Sequence, residues 1–401
     1  MAKLAINGGP KEKKSPWPEW PIYDDREKQK LIEVLNSRNW GTLGPKVLEF
    51  EEKFSTFINV SHAQTVSNGT TALEIVLRAL NIGYGDEVIV PPYTFMATIT
   101  AVLIVNATPI FVDIDPNTNC IDAEKIEAAI TPRTKAIIPV HISGTPSNMD
   151  RIMKIAEAYD LYVIEDASQA HGSEWEGKKL GSIGTVGTFS FQLSKNMTSG
   201  EGGIITTNNK ELADACWSIH HVGRRRDDEW YRHYRLSTNA RMTEWQAAIL
   251  LVQLERLNSQ IEKREKNAEK LDKLLNLIDG IETFKMDSRV TRHTRHLYMF
   301  RFKNKFFKNI SKKRFIEALN AEGIPCGYGY IELNKQPIFK NTKIKQILTQ
   351  DINYYSLKLP ETERACRETV WIPQNVLLGE EKDIEIIAKA VLKIQNNCNE
   401  L

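Results

Sequence analysis

Between residue 23 and about residue 210 the chain alternates short apolar, β-branched runs with stretches of helical period, and no other feature narrows its fold as much. Runs of strand length occur at Glu87–Val90, 109–112, 136–140, 161–164, 188–191 and 204–207. Segments 122–130 and Met149–Tyr159, set between them, have helical spacing. A helix between two strands returns the chain to the same end of the sheet, so the strands it joins run parallel. Two earlier helices present one apolar face each: Val47, Phe50, Phe54 and Phe57 after Pro45, and Ala72, Ile75, Val76, Ala79 and Leu80 after the Asn68-Gly69 break. The pattern predicts a large α/β domain around a mixed, mainly parallel sheet.

The 401 residues exceed the roughly 250 to 300 at which a single core stops growing. Thr243 and Gln246 have capping-box spacing, and the helical pattern they open runs to about Leu277 with a break or bend expected inside it. A new unit follows, with a strand at Leu297–Phe302, a helix over 311–322 stopped by Gly323-Ile-Pro325, and a last helix near 383–396. The expected division is a large domain over 1–275, with 1–20 as an N-terminal arm, and a smaller C-terminal α+β domain over 276–401.

Charge and cysteine content exclude several function classes. A formal net charge of +2 gives no broad pull toward nucleic acid or an anionic membrane. The clusters at 224–229 and 303–314 read as solvated faces. Five scattered cysteines, with no CxxC pair, read as reduced thiols of a cytoplasmic protein. The longest apolar stretch, 97–112, is interrupted by Thr98, Thr100, Asn106, Thr108 and Pro109, and is too short to span a bilayer. No dinucleotide or P-loop glycine motif is present, and His293 and His296, three apart, are by themselves a weak metal signal, so no metal is expected.

Three pieces can carry chemistry. Gly69-Thr70-Thr71 stands between a strand and a helix start, where it reads either as a plain cap or as a phosphate cradle at the positive end of the helix. Run 161–164 ends in Glu165-Asp166, which puts a carboxylate where a parallel strand meets a ligand crevice or, alternatively, in a surface turn. Lys195 lies in a polar loop after Phe189-Ser190-Phe191, and Gly200, Gly202 and Gly203 let the chain turn before the next strand. Pyridoxal phosphate chemistry uses all three: a lysine for the Schiff base, a carboxylate for the ring nitrogen, and a helix N-terminus with hydroxyls for the phosphate.

With those residues in view, the chain resembles the DegT/DnrJ/EryC1/StrS family of sugar and cyclitol aminotransferases, which have the aspartate-aminotransferase type of fold (pyridoxal phosphate fold type I). The resemblance runs from Trp40-Gly41 and Gly44-Pro45 with Phe50-Glu51 through Ser67-Asn-Gly-Thr-Thr-Ala-Leu73 and Gly85-Asp-Glu-Val-Ile-Val-Pro91. It continues through Thr134 to His141, Glu165-Asp-Ala-Ser-Gln169, Lys195, Gly200-Glu-Gly-Gly203 and Asn239 to Glu244. It implies that Lys195 bonds the cofactor and shuttles protons, that Asp166 pairs with the ring nitrogen, that Gln169 sits near the ring hydroxyl and that Phe95 stacks on a ring face. Gly69, Thr70 and Ser190 would hold the phosphate. Asn239 would reach the phosphate of a neighbouring subunit, implying a homodimer with shared sites.

Within the family Lys195 argues against the sugar 3-dehydratases, in which histidine replaces it. Ile6-Asn-Gly-Gly-Pro10, Pro16 to Pro21 and 189–203 look most like the glutamine-dependent scyllo-inosose aminotransferases and the aminohydroxybenzoate synthases. The expected reaction moves an amino group from L-glutamine or L-glutamate to a keto-cyclitol or keto-sugar in aminocyclitol or amino-sugar biosynthesis. A nucleotide-linked ketosugar aminotransferase and a dehydratase or lyase of the aminohydroxybenzoate synthase kind are the alternatives. His296, Tyr298 and Tyr330 are candidate acceptor contacts. Tyr330-Ile-Glu-Leu333, where relatives often carry Tyr-x-Pro-Leu, and Gln374-Asn375, where some cyclitol enzymes carry a histidine, depart from the family pattern.

Overall fold

The computed structural model describes residues 3–226, 228–229, 231–348 and 352–401. Strands β1 (His62–Val66), β2 (Glu87–Val90), β3 (Thr108–Phe111), β4 (Thr134–Ile137) and β5 (Tyr162–Asp166) are followed by a small ribbon, β6 (Glu174–Trp175) and β7 (Lys178–Lys179), and by β8 (Val186–Ser190) and β9 (Gly203–Thr207). Seven of them form one sheet in the order β1-β9-β8-β5-β4-β2-β3. Pairs β3-β2, β2-β4, β4-β5 and β5-β8 are parallel, whereas β9 runs antiparallel to β8 and β1. The reversal follows from the connection: a loop over 191–202 with no crossover helix can only turn the chain back on itself. That loop carries Lys195.

The first part of the chain also forms α1 (Asp25–Ser37), α2 (Pro45–Ile58), α3 (Gly69–Ala79), α4 (Ala97–Ile104), α5 (Ala123–Ile126), α6 (Met149–Tyr159), α7 (Lys210–His220) and α8 (Glu244–Leu275). Residues of α3, α4 and α7 pack into one apolar core and those of α2, α6 and α8 into another. The sheet contributes to both, as expected for a sheet buried on two faces. Stretch 97–112 is not one element but α4 and β3, turned at Asn106 with φ 63°.

Helix α8 is a single 32-residue helix, opened by the Thr243–Gln246 capping box, with no break or bend of the kind its polar positions suggest. It contains neither glycine nor proline, the usual causes of a kink. Its interior polar residues have partners from elsewhere in the chain: Arg256 donates to Glu27 Oε2 (2.9 Å) and Asn267 to Leu377 O (2.7 Å). At its start the buried Glu244 accepts from Lys46 N and Val47 N (2.9 Å each), capping α2 across the fold.

Beyond α8 come β10 (Ile281–Thr283), β11 (Val290–Arg292), β12 (Leu297–Phe302) and β13 (Thr369–Pro373), with α9 (Lys312–Ala321), α10 (Thr342–Ile347), α11 (Pro360–Glu368) and α12 (Glu381–Asn396). Strand β11 pairs with β6, and β10-β12-β13 form a second, antiparallel sheet. Phe300, Phe302, Phe315, Ile384 and Val391 build its core together with Leu4. The N-terminal segment is therefore attached to this unit, and Trp17 Nε1 donates to Gly323 O (2.7 Å).

Candidate active site

Because β5 and β8 are parallel, their C-terminal residues Asp166 and Ser190 emerge at one edge, and the 191–202 loop starts there. Two glycines seat α3 against that edge. A Cβ on Gly69 would stand 2.8 Å from Ser190 Cβ, and one on Gly203 would stand 2.6 Å from the Asn68 carbonyl carbon, so neither position admits a side chain. Asn68 caps α3 by accepting from Thr71 N (2.9 Å), which leaves the amides of Gly69 and Thr70 beside the Ser190 hydroxyl.

Asp166 is 5% exposed, and both carboxylate oxygens are held: Oδ2 accepts from Thr98 Oγ1 (2.9 Å) and Oδ1 from Ser168 N (3.2 Å). Lys195 lies within its field. Burial lowers the Lys195 ammonium to about 8, against the opposing pull of Asp166. Among the described residues no hydrogen bond or ion pair holds the Lys195 amine.

Gln169 is clamped from both ends. Its Oε1 accepts from Ser143 N (2.7 Å) and its Nε2 donates to Tyr330 Oη (2.9 Å). Burial pushes Tyr330 up to about 12, so its hydroxyl remains protonated in the neutral range. Phe95 is 63% exposed and lies just before α4, three residues from Thr98. Asn239 is exposed, accepts from Arg241 Nε (2.8 Å) and bridges to His221.

His296 belongs with Lys195: its Nδ1 bonds Asn196 Oδ1 (3.1 Å), and Lys195 is among the charges that hold the ring well below the usual histidine range, after burial itself. Tyr298 does not. Its ring is fully buried in the C-terminal core and its hydroxyl donates to Asp272 Oδ1 (2.6 Å), so the expected acceptor contact is replaced by a structural one. His293 and His296 have separate partners, Thr145 Oγ1 and Asn196.

Sequence reading missed Thr98, Ser143, Asn196 and Trp20. Trp20 Nε1 donates to Leu193 O (2.7 Å), pinning the lysine loop from the N-terminal segment. Thr98, a polar residue inside the apolar run 97–112, was the one with a visible signal.

Residues 21–391 match the DegT/DnrJ/EryC1/StrS aminotransferase family. The chain is 35% identical over 421 residues to the L-glutamine:2-deoxy-scyllo-inosose aminotransferase of Micromonospora echinospora, covering 100% of both chains. The crystal structure of 3-amino-5-hydroxybenzoic acid synthase superposes with a TM-score of 0.89 at 32% identity, over 96% of this chain and 100% of that one. The crystal structure of NtdA from Bacillus subtilis with bound cofactor PMP gives a TM-score of 0.84 at 31% identity, over 96% and 86%.

Proposed function

Since the chain belongs to the DegT/DnrJ/EryC1/StrS aminotransferase family and is a pyridoxal-phosphate-dependent aminotransferase, we propose that it transfers an amino group from L-glutamine or L-glutamate to a keto-cyclitol or keto-sugar of the scyllo-inosose kind. The observation that carries this reading is the convergence of a half-buried lysine, without a partner among the described residues, a doubly held carboxylate and the N-terminus of α3 at one sheet edge.

The residues present fit the cofactor. When bound, it supplies an electron sink that makes the carbon bearing the amino group acidic. Lys195 would hold it and move protons at Nζ; an amine lowered to about 8 can do both near neutral pH. Asp166, oriented by Thr98 and Ser168 N, would pair with the ring nitrogen. The amides of Gly69 and Thr70 and the hydroxyl of Ser190 hold the phosphate at the positive end of α3. Gln169, fixed by Ser143, and the exposed ring of Phe95 would help to hold the cofactor ring.

A second copy of the chain completes the site. An apolar groove of about 700 Å³, lined by Tyr23, Ile32, Leu35, Leu193, Trp245 and Ile249, continues directly into the Lys195 loop at Thr198–Gly200. Exposed apolar surface of this extent supports an interface. The partner's loop would bring Asn239 to the phosphate. His296 and Tyr330 face the acceptor. The free state of all five cysteines supports a cytoplasmic setting.

The likeness to 3-amino-5-hydroxybenzoic acid synthase favours one second reading, a dehydratase or lyase using the same cofactor residues. Incubating the cofactor-loaded enzyme with amide-unlabelled, α-15N-glutamine and 2-deoxy-scyllo-inosose or a related keto-cyclitol separates the two. Transamination yields a 15N-labelled amine on the ring. A dehydrated ring without label would replace the aminotransferase reading with the second.

A further inference from the structure

His296 ends a segment that the protein pins from several sides. His293 N donates to Glu265 Oε1 (2.7 Å), Thr294 O accepts from Asn196 Nδ2 (2.7 Å), and His296 N donates to Ser143 O (2.9 Å). Between them Arg295 adopts φ 52°, a left-handed conformation costly for an arginine, kept by the bonds on either side. The strain sets the direction in which the His296 ring leaves the backbone.

The surrounding bonds also fix its tautomer. Asn196 uses its amide nitrogen on Thr294 O, so its Oδ1 is an acceptor, and the His296 nitrogen facing it, Nδ1, carries the hydrogen. Burial first, then the nearby Lys195, His171 and Arg264, keep the ring neutral. Its Nε2 is therefore a lone pair. Both nitrogens of neighbouring His171 are sealed in without a partner; His296 Nε2 also has no partner among the described residues but is not sealed, and the residue keeps 5% exposure. A neutral acceptor of fixed direction thus stands beside Lys195, with no donor to it among the described residues.

We propose that His296 selects the amino donor, its Nε2 accepting a side-chain carboxamide N–H of glutamine. Glutamate loses this contact, because its carboxylate has no hydrogen to give and sets oxygen lone pairs against the nitrogen lone pair. A site that leaves a buried polar group unpaired rejects the wrong ligand strongly. The assignment rests on the aminotransferase reading for the place of the donor and adds the residue that distinguishes the two donors.

Two isosteres test it in the cofactor-loaded enzyme. His296→Asn places an amide N–H where Nδ1 stood, keeping the bond to Asn196 while removing the Nε2 acceptor. His296→Gln places an amide oxygen near Nε2 and gives up the bond to Asn196. Binding is measured by calorimetry with α-methyl-L-glutamine and α-methyl-L-glutamate, which have no hydrogen on the α-carbon and are not turned over. The wild type is expected to favour the glutamine analogue by roughly tenfold or more, His296→Asn to lose that preference to within about twofold through the glutamine analogue alone, and His296→Gln to retain most of it. A preference kept by His296→Asn and lost by His296→Gln would make His296 a structural residue and overturn the proposal, as would equal weakening of both analogues or a wild type without preference. Failure of the aminotransferase reading registers separately, as a wild type that consumes neither glutamine nor glutamate.

Discussion

Lys195 parts with its proton more readily than a lysine in water, because burial penalises the ammonium more than Asp166 favours it. Only the free amine attacks an aldehyde, so the rate at which the apoenzyme takes up pyridoxal phosphate should rise with pH through a midpoint near 8 and level off above it. A rate still climbing steeply at pH 10, as for an unperturbed lysine, would contradict the lowered value. Thr98→Val removes the hydroxyl from Asp166 Oδ2 while keeping side-chain volume. Loss of a hydrogen bond to a charged group should lower kcat about tenfold, with folding preserved, as steady-state kinetics and circular dichroism would report. At this scale Lys195, Asp166 and the Gly69-Thr70 turn were legible in the sequence because each sits where a strand ends or a helix begins. Tyr298 was less legible: a tyrosine in an apolar strand gives no sign of whether its hydroxyl meets a substrate or an inward carboxylate such as Asp272. The clamp on Gln169 was invisible, since Ser143 and Tyr330 stand 26 and 161 residues away from it.

Helix α8 joins the two cores, its early residues packing with the large sheet and Ala268, Leu271 and Leu275 with the C-terminal one. Its first residue, Glu244, supplies the two acceptors that the N-terminus of α2 lacks from its own Gly44 cap. Replacing it with alanine leaves Lys46 N and Val47 N unpaired and removes a negative charge from the positive helix end. Glu244→Ala should cost about 3 kcal/mol, read as a lowered urea midpoint. Periodicity found α2, α3, α6, α8, α9 and α12, whose apolar faces repeat cleanly. It did not delimit β1, expected only as a strand before Gly69, and did not find α7, β13 or α11. β1, His62-Ala-Gln-Thr-Val66, is half polar because Gln64 and Thr65 bond the buried Glu51, so no apolar run marks it. The break expected in α8 is absent over Glu244–Leu275.

The assembled molecule leaves one apolar groove open beside the Lys195 loop. On the proposed dimer, Ile32→Asp with Leu35→Asp, both exposed on α1, should give monomers in sedimentation equilibrium and lower activity roughly tenfold or more, because Asn239 of the partner subunit would be lost with the interface. Full activity in a monomeric double variant would show that each chain carries a complete site. The mixed sheet explains why the chemistry gathers where it does: parallel β5 and β8 deliver Asp166 and Ser190 to one edge, and the short return to antiparallel β9 keeps Lys195 there. The central claim is that this edge runs the first half of a transamination. Its most direct test is the absorption spectrum of the cofactor-loaded protein before and after L-glutamine is added without any ketone, alongside Lys195→Ala. The account predicts a visible band that requires Lys195 and that glutamine replaces with near-ultraviolet absorption. A visible band that neither glutamine nor glutamate alters would contradict it.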